Sequence, residues 1–394
     1  MSNVPSPANS RRPQHRLWLA GAAFVAALAA ALWQIPAAPA PSFAPRAYTA
    51  PASAGSALPA FFASEQLPQV AASAHAATLT TLPDGRLAAA WFAGSREGAA
   101  DVTIWLSRLD KNGWSKPQAL ANRESTAGAV FTNIRKLGNP VLFTDGPRVH
   151  LWFVSVALGG WAGSSLNHIV SDDGGETWSK PRKLVTSPFL NISTLVRTPP
   201  LPLADGGYGL PAYHEFVAKH GEWLRLDRDG RVIDKTRMAH PVRSLQPAIV
   251  ALDEKRALAL LRDAGPGPGP GRIRVATTGD AGLTWETGGA SGDDLPLPNP
   301  NASVALLRLA SGRLLLAGNG DDGRTHLHLW LSADEGKTWT LARTAESAPD
   351  GGAEFSYPAL LLAADGRIHL AYTWRRQGIK HASFSEAWLD GGQP

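Results

Sequence analysis

Short apolar runs alternate with turn sequences along the chain from about residue 66 onward. Six turns recur at intervals of about 48 to 61 residues: Asp84-Gly85, Asp145-Gly146, Asp205-Gly206, Asp253-Glu254, Ser311-Gly312 and Asp365-Gly366. This interval, with strand-length apolar runs beside the turns, is typical of the four-stranded blade of a β-propeller. Six turns predict six blades, in which the predicted second strands include Leu87–Phe92, Val149–Val154, Leu314–Ala317 and His369–Tyr372.

A second pattern, S/T-x-D-x-G-x-T-W, recurs out of phase with those turns. Three copies span residues 171–178, 278–285 and 332–339, and eroded copies lie at Asp110–Trp114 and Asp227–Ile233. In such a hairpin the aspartate accepts backbone N–H groups across the turn, the glycine takes a positive φ, and the tryptophan packs between blades. The aspartates of this pattern are therefore predicted to be structural.

These copies resemble the Asp boxes, or bacterial neuraminidase repeats, of the sialidase superfamily. The resemblance covers about residues 66–390 and extends to Tyr213-His214-Glu215-Phe216 and Tyr372-Thr373-Trp374-Arg375-Arg376, as in predicted bacterial neuraminidases. It implies an all-β fold, a six-bladed sialidase-like β-propeller at 63–394. A strand from about Ala71 to Leu79 should either open the first blade or close the ring with the Ile379–Trp388 segment.

The N-terminal region has the pattern of an export signal. Basic residues at 1–16 precede an unbroken apolar run, Leu17–Trp33, which predicts a signal anchor or transmembrane helix at 17–35. Proline follows each nearby small-residue cleavage candidate, which favours an uncleaved anchor over a cleaved signal. An Ala/Pro-rich linker is predicted at 36–62. The propeller would then be periplasmic, held at the inner membrane, or exported if the signal is cleaved.

The net charge and the lack of cysteine restrict the classes of partner and the covalent links that the chain can have. The net charge is +5, but residues 1–55 carry four arginines and no acid, so the remainder is nearly neutral. A concentrated basic face is thus not indicated, which argues against nucleic acid as a partner. The chain has no cysteine and therefore no disulfide. We expect a monomer that uses no cofactor.

Polar and charged residues collect at the blade ends opposite the Asp boxes. Arginines there suit a sugar carboxylate, and amides suit hydroxyl groups. The candidate substrate-binding residues are Arg262, Arg324, His75, Arg96, Arg135, His214, Arg243, Gln246, Asn301 and Arg375.

The resemblance also assigns roles. Sialidases use an arginine triad on the substrate carboxylate, a tyrosine nucleophile activated by a glutamate, and a separate acid/base aspartate. Tyr357 matches the nucleophile, and Arg262 and Arg324 match the second and third arginines. Glu97 falls near the acid/base position, with Asp101 competing. Two positions depart from the pattern.

The first departure is His75, in Ser73-Ala74-His75-Ala76, where the first triad arginine is expected. The second is Gln246, which stands at the position of the activating glutamate and cannot accept a proton. Glu215 is the predicted replacement for that glutamate, and Glu354 is the second choice. The phenol of Tyr357 is expected within hydrogen-bonding distance of Glu215.

Three functions remain open. The first is an exo-glycosidase acting on terminal acidic sugars, sialic acid or a related uronic acid. The others are a noncatalytic glycan-binding propeller and a lyase of uronic-acid polymers in which Tyr357 and His214 act as acid and base. No metal site is predicted, because the spacing in His214-Glu215-Phe216-Val217-Ala218-Lys219-His220 differs from His-Glu-x-x-His.

Overall fold

Twenty-eight strands among the described residues form six antiparallel sheets and one two-stranded ribbon around a central channel. The computed structural model describes residues 12–33, 40–50, 58–238, 243–265, 271–288 and 294–393. The six sheets are propeller blades I–VI in chain order of their inner strands. Each blade is an antiparallel meander whose first strand lines the channel. The predicted six-bladed propeller is confirmed.

The strand bounds follow the predicted turns. Blade I contains Ser73–Thr81, Leu87–Gly94, Thr103–Asp110, Gly113–Trp114 and Gln118–Ala121; blade II contains Lys136–Asp145, Arg148–Val156, Ser164–Ser171 and Arg182–Lys183. Blade III contains Leu195–Val196, Leu201–Pro202, Tyr208–His214, His220–Leu226 and Val232–Arg237; blade IV contains Ser244–Ala251, Ala257–Asp263, Arg274–Thr278 and Glu286–Thr287. Blade V contains Ala305–Arg308, Leu314–Gly318, His326–Ser332 and Thr340–Ser347; blade VI contains Phe355–Leu362, Ile368–Trp374, Gly378–Phe384 and Phe62–Gln66. The ribbon pairs Gly271–Arg272 with Pro298–Asn299, and short helices lie at Arg123–Val130 and Glu386–Leu389, with 3₁₀ turns at Pro45–Ala47 and Trp161–Gly163.

Ring closure joins the two ends of the propeller. Strand Phe62–Gln66 pairs antiparallel with Gly378–Phe384, so it becomes the outer strand of blade VI. The predicted strand near Ala71–Leu79 exists as Ser73–Thr81 and opens blade I. It does not close the ring. The strand before it, Phe62–Gln66, closes the ring and lies at the predicted boundary between the linker and the propeller.

The Asp boxes have the predicted structural role. In blade II, Asp173 accepts hydrogen bonds from the Thr177 backbone N–H at 2.9 Å and from the Ser171 hydroxyl at 2.7 Å. Asp280 and Asp334 accept the equivalent threonine N–H bonds, each at 2.9 Å. These turns connect third and fourth strands, as do the eroded copies at 110–114 and 227–233. They therefore lie at the blade ends opposite the start of each inner strand.

Residues 41–50 belong to the propeller unit, which begins at Pro41. Phe43 is 1% exposed, packs edge-on against Trp223 with ring centroids 6.2 Å apart, and forms a β-bridge with Leu203. Arg46 forms an ion pair with Asp145 at 2.6 Å. The prediction of a free spacer over 36–62 is therefore wrong for this part, because its aromatic and basic residues find partners on the blades. Residues 36–39 and 51–57 lie outside the described residues.

A cavity of about 410 Å³ lies in the central channel beside this segment. Residues 46–50 and inner strands of all six blades line it: 79–81, 142–144, 197–202, 248–250, 305–308 and 358–362. Because the inner strands run toward their Asp-Gly turns here, the cavity lies toward the Asp-box end of the channel.

The N-terminal unit, which ends at Ala40, contains helix Arg12–Trp33. Among the described residues, no helix combines the length and apolarity that crossing a membrane requires. The structure thus gives no support to the transmembrane helix predicted at 17–35. The cytoplasmic basic segment predicted at 1–16 lies largely outside the described residues.

Candidate functional site

β-Bulges open the inner strands at the end of the channel remote from the Asp boxes. The register shifts between His75 and Thr78, between Gly138 and Val141, between Leu245 and Ala248, and between Ser356 and Ala359. In each bulge one non-glycine residue has a positive φ: Ala76 at 54°, Asn139 at 43°, Gln246 at 52° and Tyr357 at 54°. Bulges re-aim side chains. Here Asn139, Gln246 and Tyr357 are joined by one hydrogen-bond network.

Tyr357 lies at the centre of this network. Its hydroxyl accepts a hydrogen bond from Arg262 Nη1 at 3.0 Å, and the same nitrogen donates to Gln246 Oε1 at 3.2 Å. Arg262 Nε donates to Asn301 Oδ1 at 2.7 Å. Arg324 donates to the backbone carbonyl of Asn301 at 2.8 Å, and its guanidinium lies 5.7 Å from the Tyr357 ring centroid. The two matched arginines therefore meet beside Tyr357.

A chain of ion pairs continues from Arg324. Glu354 accepts from Arg324 Nη1 at 2.9 Å and from Arg376 Nε at 2.7 Å, while Arg376 Nη1 donates to Glu97 at 2.8 Å. Burial alone would raise the pKa of Glu354, but hydrogen bonds from Arg376, Ser356 and Arg324 hold it at about 2. Glu354 is thus an ionised anchor for two arginines, and it is not a proton acceptor near neutral pH.

His75 forms one wall of the site. Its ring centroid is 4.2 Å from that of Tyr357, and its Nδ1 shares a hydrogen bond with the Thr373 hydroxyl at 2.9 Å. Its Nε2 is buried without a hydrogen-bond partner. Burial, aided by the charge of Arg376, holds the pKa of His75 well below its usual value. A neutral imidazole cannot replace the charge of a triad arginine.

Two buried side chains, Arg197 and Tyr213, hydrogen-bond to the residues of the site. Arg197, in blade III and 2% exposed, donates to the Ala77 carbonyl in blade I at 3.0 Å and to the carbonyls of Tyr357 and Pro358 in blade VI at 2.6 and 2.8 Å. Because blades III and VI are three positions apart in a six-bladed ring, this side chain crosses the channel. It also lines the channel cavity.

Tyr213 is the second support. Its hydroxyl accepts from Asn139 Nδ2 at 2.9 Å and from Gln246 Nε2 at 3.3 Å. Burial raises the pKa of this phenol far above its usual value, so Tyr213 is a fixed, neutral hydrogen-bonding group. Gln246 therefore hydrogen-bonds on both sides: its Nε2 donates to Tyr213, and its Oε1 accepts from Arg262. A glutamate could accept from Arg262 but, when ionised, could not donate to Tyr213.

Glu215 differs from its predicted placement. Among the described residues no carboxylate hydrogen-bonds to the Tyr357 hydroxyl, whose partner is Arg262. Glu215 lies in the loop between the second and third strands of blade III, where its backbone N–H donates to Ser193 Oγ at 2.7 Å. Burial raises the pKa of Glu215 against the opposing charges of Lys219, Arg262 and Lys136. Glu215 thus lies in the electrostatic surroundings of Arg262 and not at the phenol.

The two acid/base candidates have separate environments. Glu97 pairs with Arg376, at the end of the ion-pair chain. Asp101 is exposed and accepts from the Ser95 backbone N–H at 2.9 Å and from its hydroxyl at 3.0 Å. These bonds cap the loop between the second and third strands of blade I, which gives Asp101 a local structural role.

The other predicted residues lie around the mouth. Arg96 and Arg135 are exposed, and Arg375 stacks on its neighbour Trp374 with 4.7 Å between guanidinium and ring centroid. Arg376, its neighbour in sequence, is the one that joins the ion-pair chain. The Arg243 backbone N–H donates to the Lys219 carbonyl at 2.6 Å. His214 stacks on His220 at 4.9 Å and has no described contact with Tyr357.

No site role was predicted for Asn139, Tyr213 or Arg197 from the sequence. A signal for the bulges was present, since Asn139-Pro140, Gln246-Pro247 and Tyr357-Pro358 repeat the same residue-proline step at the start of an inner strand. Proline disfavours a regular ladder and is typical of bulges. Arg197 stands in a blade crossover on the face opposite the Asp boxes, but its role could not be predicted because its partners are carbonyl groups of distant strands.

The arrangement can bind an anion beside a tyrosine. Arg262 and Arg324 provide fixed donors beside Tyr357, and Asn301 and Gln246 add amide groups. A tyrosine nucleophile also needs a base at its hydroxyl. A guanidinium fills that position here.

Comparison with known proteins agrees with this description. Three solved structures share the fold at low identity. A Hadza microbial sialidase, Hz136, has a TM-score of 0.62 at 17% identity over 79% of this chain and 65% of that one. The Trypanosoma rangeli sialidase in complex with the inhibitor DANA gives 0.62 at 14%, over 80% and 55%. The Ruminococcus gnavus intramolecular trans-sialidase gives 0.62 at 15%, over 84% and 98%.

The chain thus spans less than two thirds of the length of the first two relatives. A search of curated protein sequences finds no match. The profile of the BNR repeat-like domain matches residues 85–370, which is well over half of the sequence. The chain therefore belongs to the BNR repeat-like domain family, and its fold is similar to that of the sialidases.

Proposed function

We propose that this protein binds the carboxylate group of a terminal acidic sugar at the Tyr357 mouth. The observation that carries the proposal is the meeting of Arg262 and Arg324 on Asn301 beside Tyr357, while the Tyr357 hydroxyl has a guanidinium partner and no carboxylate. Arginine forks recognise carboxylates with directional, charge-assisted hydrogen bonds. The site therefore favours recognition of an acidic glycan over double-displacement chemistry.

Binding and turnover are separated by one set of measurements on the full-length protein. Calorimetric titration with N-acetylneuraminate and glucuronate tests binding, and fluorogenic glycosides of both sugars test hydrolysis. Arg262→Ala is expected to weaken binding about 10- to 100-fold, since a charged hydrogen bond is worth about 1.5–3 kcal/mol. Tyr357→Phe should leave binding within a few-fold of the wild type.

Arg375→Ala is the matched control, because it removes an exposed mouth arginine that stacks only on Trp374 among its described contacts. Equal affinities of Arg262→Ala, Arg375→Ala and wild type for both sugars would contradict the proposal. Circular dichroism establishes that each variant is folded.

Hydrolysis is the second candidate, and Glu215 is the observation in its favour. It is half-buried, burial raises its pKa, and it lies in the electrostatic surroundings of Arg262, which in turn contacts Tyr357. A movement of the 215–219 loop on substrate binding would bring this carboxyl to the phenol. Glycoside turnover that is abolished by both Tyr357→Phe and Glu215→Gln would favour this function.

The lyase function has less support, because His214 contacts His220 and not Tyr357.

We also propose that the protein acts outside the cytoplasm as a monomer, tethered by its N-terminal segment. The basic residues before the apolar run at 17–33 support export. Carbonate extraction of membranes from cells expressing the full chain tests the tether, and release of all of the protein would contradict it. Light scattering of the purified protein tests the oligomeric state.

A further inference from the structure

Two histidines close a hairpin in blade III. His214 ends one strand, His220 begins the next, and the two are paired in register across the five-residue loop 215–219. Glu222 lies two residues beyond His220, so its side chain is on the same face of the strand. One ligand atom from each of these three residues lies within 4.8 Å of the other two.

Two polar atoms in this cluster are buried without a partner. Glu222 is 3% exposed and His220 is 8% exposed. Glu222 Oε1 accepts from Lys235 Nζ at 3.0 Å and lies 3.5 Å from His220 Nε2. Glu222 Oε2 and His220 Nδ1 have no hydrogen-bond partner. Buried polar atoms are nearly always paired, so these two atoms are available to a ligand.

We propose that His214, His220 and Glu222 bind a zinc-class divalent cation. Two imidazole nitrogens and one carboxylate oxygen form a three-residue zinc set that leaves a fourth position for water. Zinc ligands lie about 2.0–2.2 Å from the metal, so in a tetrahedral site they are about 3.3–3.6 Å apart. The ligand atoms, which lie within 4.8 Å of one another, would move together by up to about 1.5 Å through side-chain rotation on binding the metal. Imidazole ligands favour zinc over magnesium or calcium, which prefer oxygen.

The cation would hold the base of the loop that carries Glu215. His214 and His220 immediately flank residues 215–219, and the Lys219 carbonyl accepts a hydrogen bond from the Arg243 backbone N–H. A metal bound by His214 and His220 at the two ends of loop 215–219 would thus restrict the position of Glu215 relative to Arg262. This site is separate from the sugar-binding proposal and does not depend on its outcome.

The test uses full-length protein freed of any affinity tag and dialysed against EDTA. After incubation with ZnSO₄ and gel filtration, mass spectrometry of the metal should find one zinc per chain. Zinc should also raise the melting temperature by several degrees, because a ligand that binds only the folded state stabilises it. Cobalt(II) should give the intense visible absorption of a four-coordinate site.

His214→Ala is the main variant, since His214 is half-buried and its removal leaves the Glu222–Lys235 ion pair intact. It should abolish the stoichiometric zinc, the thermal shift and the cobalt spectrum while the circular dichroism is unchanged. Glu222→Gln should do the same if it folds. His328→Ala is the control, because His328 is also half-buried and stacks on a neighbouring histidine, His326.

Loss of zinc in His214→Ala with retention in His328→Ala supports the site. Absence of zinc from the wild type, or equal zinc content in the wild type and His214→Ala, overturns it and leaves the trio as a hydrogen-bonded ion-pair cluster.

Discussion

At the scale of a residue, Arg197 hydrogen-bonds to the backbone of Tyr357, which has a positive φ. Its three hydrogen bonds end on backbone carbonyls of blades I and VI, including that of Tyr357 itself, whose φ is 54°. Arg197→Met would leave these buried carbonyls unpaired. We expect the free energy of unfolding to fall by at least about 2 kcal/mol, seen as a lower urea midpoint, together with weaker sugar binding.

Arg308→Met is the matched control for that prediction. Arg308 also donates to a backbone carbonyl, that of Leu252 at 2.6 Å, but it is only partly buried and does not reach Tyr357. Its loss should cost less stability and leave sugar affinity unchanged. Equal urea midpoints for the wild type and Arg197→Met would contradict the role given to Arg197.

The sequence was informative about residues whose type and local motif carry their role. Tyr357, Arg262 and Arg324 could be singled out because each stands in a short recognisable segment, and the structure brings the three together. The partner of the phenol could not be predicted, because it depends on how two blades pack. Glu215 lies in the loop between the second and third strands of blade III, as the sequence predicts, but it does not hydrogen-bond to the phenol of Tyr357.

At the scale of an element, the ring-closing strand Phe62–Gln66 is the part that a truncation tests. Without it, Gly378–Phe384 would present an unpaired edge, and the stacking of Phe62 on Trp388 at 4.6 Å would be lost. A chain that begins at residue 68 should melt several degrees lower than one that begins at residue 58 and should self-associate. Scanning calorimetry and light scattering measure both effects.

The chain beginning at residue 58 is the control, since it also lacks residues 41–50 but keeps the closing strand. Identical melting temperatures and the same oligomeric state for the two chains would show that closing blade VI does not need this strand.

Turns and second strands were predictable because their signals are local: an Asp-Gly turn followed by an apolar run such as Leu314–Gly318. The closing strand has no such signal. Four of its five residues are exposed, and its sequence, Phe-Ala-Ser-Glu-Gln, resembles a linker. Its structure is fixed by a partner at the other end of the chain. The segment around Phe43 was misassigned for the same reason.

At the scale of the whole molecule, buried histidine pairs predict a loss of stability in acid. His150 and His168 share a hydrogen bond at 3.0 Å in blade II, and His369 and His381 share one at 2.9 Å in blade VI. Burial holds the pKa of His150 and of His369 at about 4. The unfolded chain therefore takes up protons first, from its usual pKa near 6.5.

The stabilising contribution of these histidines is complete above about pH 6.5 and is lost as the pH falls toward 4. Each contributes a slope of up to about 1.4 kcal/mol per pH unit in that range. The melting temperature should be nearly constant from pH 7 to 8 and fall steeply below pH 6. The double variant His369→Gln/His381→Gln should show a shallower fall. A flat profile between pH 7 and 4.5 would contradict this account.

Closure of the ring by Phe62–Gln66 also imposes an order on biosynthesis. The strand is among the first parts of the propeller to be synthesised, yet its partner Gly378–Phe384 is among the last. Blade VI can therefore be completed only when the chain through Phe384 is available, and the search for this long-range contact is slow. The polar residues Ser64–Gln66 reduce pairing of this strand with the edges of other sheets before its partner strand has been synthesised. The nascent propeller is thus most exposed to aggregation and to chaperones at the unpaired edge of blade VI until Gly378–Phe384 has been synthesised.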